Sequence, residues 1–284
     1  MPELPEVEVL ARHLRPLLRG KTIRAVDVRR SKVLKPTSLR NFENALRGAK
    51  FTDLSRRGKY LLFQLCSKTS GKPMTLLGHL GMTGRMFLAR KNEPPPKHAA
   101  VIFDLGREDF IYEDTRYFGR MTLDLLAIEK LGPEPLSEDF QPENFAQALR
   151  HSLQPIKVKL LDQKLVAGIG NIYASEALFR ASISPRLAAN RLTFAQTKKL
   201  WRAIREVLKE AIAGGSTVPL NFTSGKSDRL FYLGRTPGTP DFYEERLQVY
   251  DRAGKPCMNC HRPLKRIIQA ARSTFYCSYC QITR

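Results

Sequence analysis

Two cysteine pairs near the C-terminus place the hardest constraint on this chain. Cys257-Met258-Asn259-Cys260 and Cys277-Ser278-Tyr279-Cys280 form a CxxC…CxxC pattern with sixteen residues between the pairs. In a cytosolic protein that spacing reads as a tetrahedral thiolate site for one structural Zn2+. The disulfide alternative needs an oxidising compartment, for which nothing in the sequence argues. Four thiolates leave no open position, so the metal is expected to organise the chain and not to catalyse; His261, beside Cys260, is not needed as a ligand. The fifth cysteine, Cys66, lies in an apolar strand-like run and is expected to be a small buried hydrophobe.

Upstream of that module the hydrophobic period changes. Val7, Leu10, Ala11, Leu14, Leu17 and Leu18 recur at helical spacing after Pro5, with Gly20 as a stop and Pro16 expected to distort the last turn. Ser38 to Leu46 reads as a short helix closed by Gly48. From Lys50 to about Leu126, runs such as Tyr60-Leu61-Leu62-Phe63, Met74-Thr75-Leu76-Leu77 and Ala99-Ala100-Val101-Ile102-Phe103 are strand-like and broken by turn residues, which predicts an antiparallel two-sheet domain. Gly132-Pro133-Glu134-Pro135 ends that pattern, and helical periodicity continues to about Ala213. Its clearest helix spans Phe194 to Ala213, with Leu200, Ile204, Val207, Leu208 and Ile212 on one stripe and Trp201 close to it. Residues 214–244 are rich in Gly, Ser, Thr and Pro, and a loop of that length is a functional feature or a disordered one. The expected fold class is α+β in three parts: an N-terminal β-sandwich flanked by helices (1–132), a helical domain (133–245) and the four-cysteine module with a β-hairpin (246–284).

The charge balance narrows the partners. Lys and Arg number 48 against 27 Asp and Glu, a formal +21 spread along the chain, so a polyanion is the leading partner and nucleic acid the common one. No stretch has the ~20 apolar residues of a membrane span and no signal peptide precedes the start, so a soluble, cytoplasmic monomer is expected.

The first eight residues, Met1-Pro2-Glu3-Leu4-Pro5-Glu6-Val7-Glu8, carry a possible nucleophile. Removal of Met1 would leave Pro2 with a secondary amine at the chain terminus. Such an amine titrates near pH ~8, so part of it is unprotonated at neutral pH. An amine attacks carbonyl carbon to give a Schiff base, and Glu3 beside it is placed to move the accompanying proton. The plain alternative is an ordinary helix start with two prolines.

MPELPEVE resembles the start of the bacterial formamidopyrimidine-DNA glycosylases, enzymes that excise oxidised purines such as 8-oxoguanine and then cleave the abasic strand. The resemblance runs in order from Pro2 to Cys280. It implies that Pro2 attacks the sugar C1′, that Glu3 acts in proton transfer and ring opening, and that Lys59 of Arg56-Arg57-Gly58-Lys59-Tyr60 and Arg272 of Ala271-Arg272-Ser273-Thr274 lie on the flanking phosphates. Met82 in Gly78-His79-Leu80-Gly81-Met82-Thr83-Gly84 and Arg116 and Phe118 in Asp114-Thr115-Arg116-Tyr117-Phe118-Gly119 match the residues that fill the hole left by an extruded base. Each alone is expected to be structural; with the N-terminal motif, the wedge reading prevails.

His98 and Lys157 match DNA-contacting positions. Lys164 to Glu176 resembles the helix–two-turn–helix motif, with Asn171 as the expected cap and with Gly168 and Gly170 admitting a phosphate to the helix start. Tyr117 departs from the arginine common there, and Ser152 from a more basic segment. The 214–244 stretch matches the lesion-capping region in position. The resemblance therefore implies a zinc-containing bifunctional DNA glycosylase and AP lyase acting on duplex DNA with a damaged base or an abasic site. Two rivals stay open: an endonuclease VIII-like enzyme for oxidised pyrimidines, against which Leu4 argues, and a damage-binding protein without turnover.

Overall fold

A computed structural model of the chain describes residues 2–68, 70–91, 94–215 and 247–282. They fall into two compact units. The first contains Pro2 and residues 6–129, and the second contains Glu3–Pro5 with residues 130–215 and 247–282. Most of the 214–244 stretch lies outside the described residues.

The first unit is built on two four-stranded antiparallel sheets. One has the order β1 (Ala25–Val28), β6 (Ala99–Asp104), β7 (Glu108–Asp114), β5 (Gly84–Arg90). The other runs β2 (Lys50–Arg57), β3 (Tyr60–Cys66), β4 (Pro73–His79), β8 (Arg120–Thr122). Alternation in β3 puts Leu61, Phe63 and Leu65 inside. Phe63 meets Phe110 of the facing sheet at 5.5 Å between ring centroids, Phe110 lies 6.3 Å from Phe51, and Phe103 stacks on Phe110 at 5.5 Å. These rings join the two layers, each contributing about 1.5–3 kcal/mol by leaving water.

Helix α1 (Leu4–Leu18) adds Val7, Leu10, Leu14 and Leu18 to this core and runs through Pro16. Helix α2 (Leu39–Leu46) is capped by the Ser38 hydroxyl, which accepts from the Asn41 N–H, and it buries Phe42 and Leu46. A one-turn α3 (Leu126–Glu129) ends the unit. Cys66 is a correction. It is only half-buried, because it closes β3 beside the Ser67–Gly71 turn, where its thiol donates to the Gly71 carbonyl at 3.3 Å.

The second unit contains α4 (Pro142–Leu149), α5 (Ile156–Leu160), α6 (Asn171–Arg180), α7 (Phe194–Ala213) and the hairpin β9 (Lys265–Gln269) and β10 (Arg272–Tyr276). Helix α7 keeps its predicted bounds because Thr193 and Gln196 cap its start reciprocally and its apolar stripe buries Leu200, Ile204, Val207 and Leu208. Trp201 is half-buried beside Phe140, to whose carbonyl its indole N–H donates at 2.6 Å. Glu176, on α6, is enclosed, and its carboxylate accepts from the backbone N–H groups of Gln248, Val249 and Tyr250 at 2.8, 3.0 and 2.8 Å. Burial pushes its pKa up against the pull of those three donors.

Candidate active site and nucleic-acid interface

In the first unit, β2 and β3 pair Arg57 with Tyr60, leaving a two-residue turn with Gly58 at φ +56. A primed hairpin turn needs that left-handed position, and it puts Lys59 at the tip. Arg56 is structural: its guanidinium bonds the Glu8 carboxylate at 2.8 Å and the Gly58 carbonyl at 3.0 Å. The ring of His79, at the end of β4, lies 4.7 Å from the Tyr60 ring in a tilted contact, and its Nδ1 accepts from the Gly81 N–H at 3.1 Å. Burial first, then the cations of Lys59 and Arg120, push its pKa down to about 4, so it is a neutral acceptor at pH 7.

The turn after His79 carries Met82, 46% exposed, and the loop after β7 carries Phe118, 51% exposed. Arg116 joins them, with Nη1 3.6 Å from the Met82 sulfur and Cζ 5.0 Å from the Phe118 ring centroid. Two loops more than thirty residues apart in sequence thus present one apolar–cationic cluster. Asp114, fully buried, is what joins them. Its Oδ1 accepts from Thr83 Oγ1 at 2.6 Å and from the Arg116 N–H at 3.1 Å, and its Oδ2 from the Gly119 N–H at 2.9 Å and the Tyr112 hydroxyl at 3.2 Å. Gly81 and Gly119 let the loops touch backbone to backbone: a Cβ on Gly81 would lie 2.6 Å from the Gly119 nitrogen. His98 is half-buried with its ring 6.4 Å from that of Tyr117.

In the second unit the structure overturns the expected role of Asn171. Gly170, not Asn171, is the N-cap of α6, and no side chain of the motif itself caps the helix. The cap is Glu3. Its carboxylate, 2% exposed, accepts from the N–H groups of Gly170 at 2.7 Å, Ile172 at 2.9 Å and Tyr173 at 3.4 Å. The helix start that was expected to bind a phosphate is therefore already occupied by an anion of the chain itself. The glycines make room for it: a Cβ on Gly170 would lie 2.3 Å from the Glu3 carboxyl carbon, and one on Gly168, at φ +85, 2.7 Å from the Leu4 side chain.

Relieved of capping, Asn171 is a crosslink. Its Oδ1 accepts from the Lys157 ammonium, its Nδ2 donates to the Ser273 carbonyl at 2.9 Å, and its side chain also hydrogen-bonds the Tyr250 hydroxyl. Lys157 is enclosed, and its pKa is pushed down to about 8, first by burial and then by the Arg272 cation, with Glu3 pulling the other way. Glu3, Lys157, Asn171, Tyr250 and Arg272 thus form one polar cluster within this unit. Pro2, covalently next to Glu3, is buried.

Arg272 is exposed at the start of β10, next to a two-residue turn in which Ala270 and Ala271 take φ +47 and +57. Below that hairpin the sulfurs of Cys257, Cys260, Cys277 and Cys280 lie within 4.8 Å of one another. The Cys257–Cys280 and Cys260–Cys277 separations are 3.9 and 3.5 Å. Bonds of ~2.3 Å to a tetrahedral zinc need sulfurs roughly 3.8 Å apart, so the set fits the ion without rearrangement. The Asn259 and Cys280 N–H groups each donate to a sulfur at 3.4 Å, the contacts expected of thiolates.

Sequence reasoning missed His79, Asp114, Tyr250 and Glu176. His79 and Asp114 stand inside the quoted motifs; Tyr250 and Glu176 become visible only through their partners.

An exposed Met–Arg–Phe cluster and a polar cluster that includes Arg272, on a chain of formal charge +21, are the features of a protein that handles nucleic acid. Comparison with known proteins gives its family. The chain matches the models of the formamidopyrimidine-DNA glycosylase N-terminal domain over residues 1–121, the formamidopyrimidine-DNA glycosylase H2TH domain over 131–221, and the zinc finger found in FPG and IleRS over 254–282. It belongs to the formamidopyrimidine-DNA glycosylase family, and is a base-excision repair glycosylase and AP lyase with a structural zinc. The formamidopyrimidine-DNA glycosylase of Thermus thermophilus is 43% identical, over 99% of this chain and 98% of that protein. That of Desulfitobacterium hafniense is 39% identical, over 99% and 100%. A Lactococcus lactis Fpg solved with N7-benzyl-Fapy-dG DNA superposes with a TM-score of 0.86 at 33% identity, covering 99% of each chain. Among the described residues no helix is long and apolar enough to cross a membrane.

Proposed function

We propose that this enzyme removes oxidised purines, 8-oxoguanine and formamidopyrimidines, from duplex DNA, with Pro2 as the nucleophile once Met1 is gone. The observation that carries the reading is the seat of Glu3. Its carboxylate is tied to the start of α6 by three N–H groups, so the neighbouring Pro2 nitrogen hangs from a fixed point and not from a loose chain end. The Pro2 nitrogen bonds to C1′ as the C1′–N9 bond breaks and the base leaves with that electron pair. Loss of the amine proton frees the nitrogen lone pair, which expels O4′ as Glu3 protonates it; the opened sugar is then held as the iminium, which acidifies the C2′ proton. Its removal expels the 3′-phosphate, and a second elimination expels the 5′-phosphate.

Glu3 shuttles protons and opens the sugar ring, while Lys59 and Arg272 neutralise the two leaving phosphates. Met82 and Phe118 wedge the gap, and Arg116 hydrogen-bonds the orphaned base. Lys157, Asn171 and His98 hold the damaged strand. The zinc keeps the hairpin rigid so that Arg272 is presented in one place. The functional division is 1–132, 133–245 and 246–284, and the compartment is the bacterial cytosol and nucleoid.

Structural relatives support the purine assignment: one was solved with DNA containing carbocyclic 8-oxo-G. Another relative, from Lactococcus lactis, holds oxidised-pyrimidine DNA, which favours a wider lesion range as the second reading. Borohydride trapping on a duplex with one 8-oxoguanine opposite cytosine tests both. A covalent adduct that Pro2→Gly abolishes is expected. An adduct with abasic DNA but none with 8-oxoguanine would move the lesion to pyrimidines, and none with either would leave a binding protein.

A further inference from the structure

Arg30 ends the segment that follows β1. Its backbone N–H donates to the Ala100 carbonyl at 3.1 Å, which fixes its Cα beside the start of β6. Its side chain is exposed, and the guanidinium carbon lies 5.3 Å from the centroid of the Tyr117 ring. That is cation–π range, and stacking on a ring face leaves the guanidinium edge with its donors directed away from the ring. Neighbouring Arg29 is neutralised by Asp27 at 3.0 Å, whereas no ion pair is formed by Arg30 among the described residues.

Tyr117 stands between two wedge residues, Arg116 and Phe118, and it takes φ +52, a region that a bulky residue rarely adopts. Strain of that kind persists where surrounding structure enforces it, and it clusters at sites that bind. Here the enforcement is visible. The Asp114 carboxylate holds the N–H groups of Arg116 and Gly119 on either side of Tyr117, and the ring packs against the sandwich core. The His98 ring lies 6.4 Å from the Tyr117 ring in an edge-on pair, the planes 62° apart. Arg30 and His98 therefore meet at the Tyr117 ring, one over it at 5.3 Å and the other edge-on beside it, while Arg116 is turned to Phe118 and Met82.

The geometry points to Arg30 as a further DNA-contacting residue, gripping a backbone phosphate beside the wedge, with Tyr117 as the positioning residue that holds it there. This rests on the reading that the wedge face receives duplex DNA. A phosphate suits the planar, two-pronged guanidinium better than a base edge does, because the stacked fork offers paired N–H groups in one plane.

Salt dependence of affinity for a duplex carrying a tetrahydrofuran abasic analogue tests this. Arg30→Gln is expected to reduce the slope of log K against log salt by about 0.9, one phosphate fewer. The wild-type advantage over Arg30→Gln then shrinks about 3.5-fold between about 50 and about 200 mM salt. Tyr117→Leu is expected to reproduce the change and Tyr117→Phe, which keeps the ring, to restore the wild-type slope. Arg107→Gln removes the same charge from the opposite end of the β6–β7 hairpin, roughly 20 Å away along the strands, and is expected to leave the slope alone. An unchanged slope in Arg30→Gln, or an equal change in Arg107→Gln, overturns the proposal; so does a Tyr117→Phe variant that behaves as Tyr117→Leu. If wild type traps covalently on damaged DNA while Arg30→Gln keeps its slope, only this assignment falls. A wild type that neither traps nor prefers the abasic duplex removes the underlying reading instead.

Discussion

Thr83 Oγ1 donates to Asp114 Oδ1 at 2.6 Å, and that bond ties the Met82 turn to the Arg116–Phe118 loop. Thr83→Val is expected to cost about 1 kcal/mol, the net worth of one hydrogen bond. Asp114→Asn is expected to cost more, about 2–3 kcal/mol, because an amide turns a donor toward groups that are themselves donors. Urea unfolding measures both, and a duplex-binding titration should show weaker affinity in the same order. Equal midpoints for the two variants would mean that Asp114 is not the tie.

Gly170→Ala attacks the Glu3 seat without removing any group that touches DNA. A methyl cannot occupy space 2.3 Å from the Glu3 carboxyl carbon, so the carboxylate must leave the helix start. The borohydride trapping rate is expected to drop at least tenfold, while a Gly254→Ala control, where nothing lies within 4 Å of the new methyl, stays within about 1 kcal/mol of wild-type stability despite its positive φ. Trapping by Gly170→Ala at the wild-type rate would detach Glu3 anchoring from the chemistry.

Lys157 gives a pH signature with a definite sign. Its folded pKa of about 8 lies below the ordinary lysine value of 10.5, so between those values the unfolded chain binds more protons. Stability linked to this group therefore rises as pH increases from about 8 toward 10.5, and the penalty for enclosing the cation is fully present at pH 7. Taking wild type minus Lys157→Met cancels the other titrations. That difference is expected to move in favour of wild type between pH 7 and pH 9, and a flat difference would show that another group titrates.

Ala270 and Ala271 both occupy left-handed backbone at the hairpin turn beside Arg272. Each position costs an alanine about 1–2 kcal/mol, part of which glycine returns as lost chain entropy. Ala270→Gly and Ala271→Gly are each expected to stabilise the zinc module by about 0.5–1 kcal/mol, read as slower metal release to a chelator. Faster release from either would mean that the turn relaxes in another way.

The sheets, α7 and the thiolate cluster were legible because each is written in local pattern: alternation in Tyr60–Cys66, a 3.6-residue stripe from Phe194, and two CxxC pairs. That Met82, Arg116 and Phe118 belong together was legible from the motifs around them, and the structure brings the three into one cluster. What pattern could not supply is who answers whom across the chain. Asn171 looked like a cap because a cap is usually the residue at the helix start. The real cap, Glu3, is 167 to 170 residues away in sequence, and no local rule connects them. Asp114 and His79 sat inside recognised motifs, but their roles come from burial and from donors on other loops. The Arg30–Tyr117 pair has the same origin: a substitution that looked like a lost cation is a ring on which a different cation rests.

The distance that hid Glu3 also sets an order of events during synthesis. The third residue to leave the ribosome finds its hydrogen-bond partners only after residues 170–173 have been made, a wait on the order of 10 s at ordinary elongation rates. Until then the chain end has no fixed seat, whatever aminopeptidase has done to Met1. A truncated or stalled polypeptide ending before α6 would lack the N–H groups that hold Glu3. With Pro2 as the nucleophile proposed above, completion of the downstream half acts as a built-in safeguard, since only a nearly finished chain can seat Glu3 beside it.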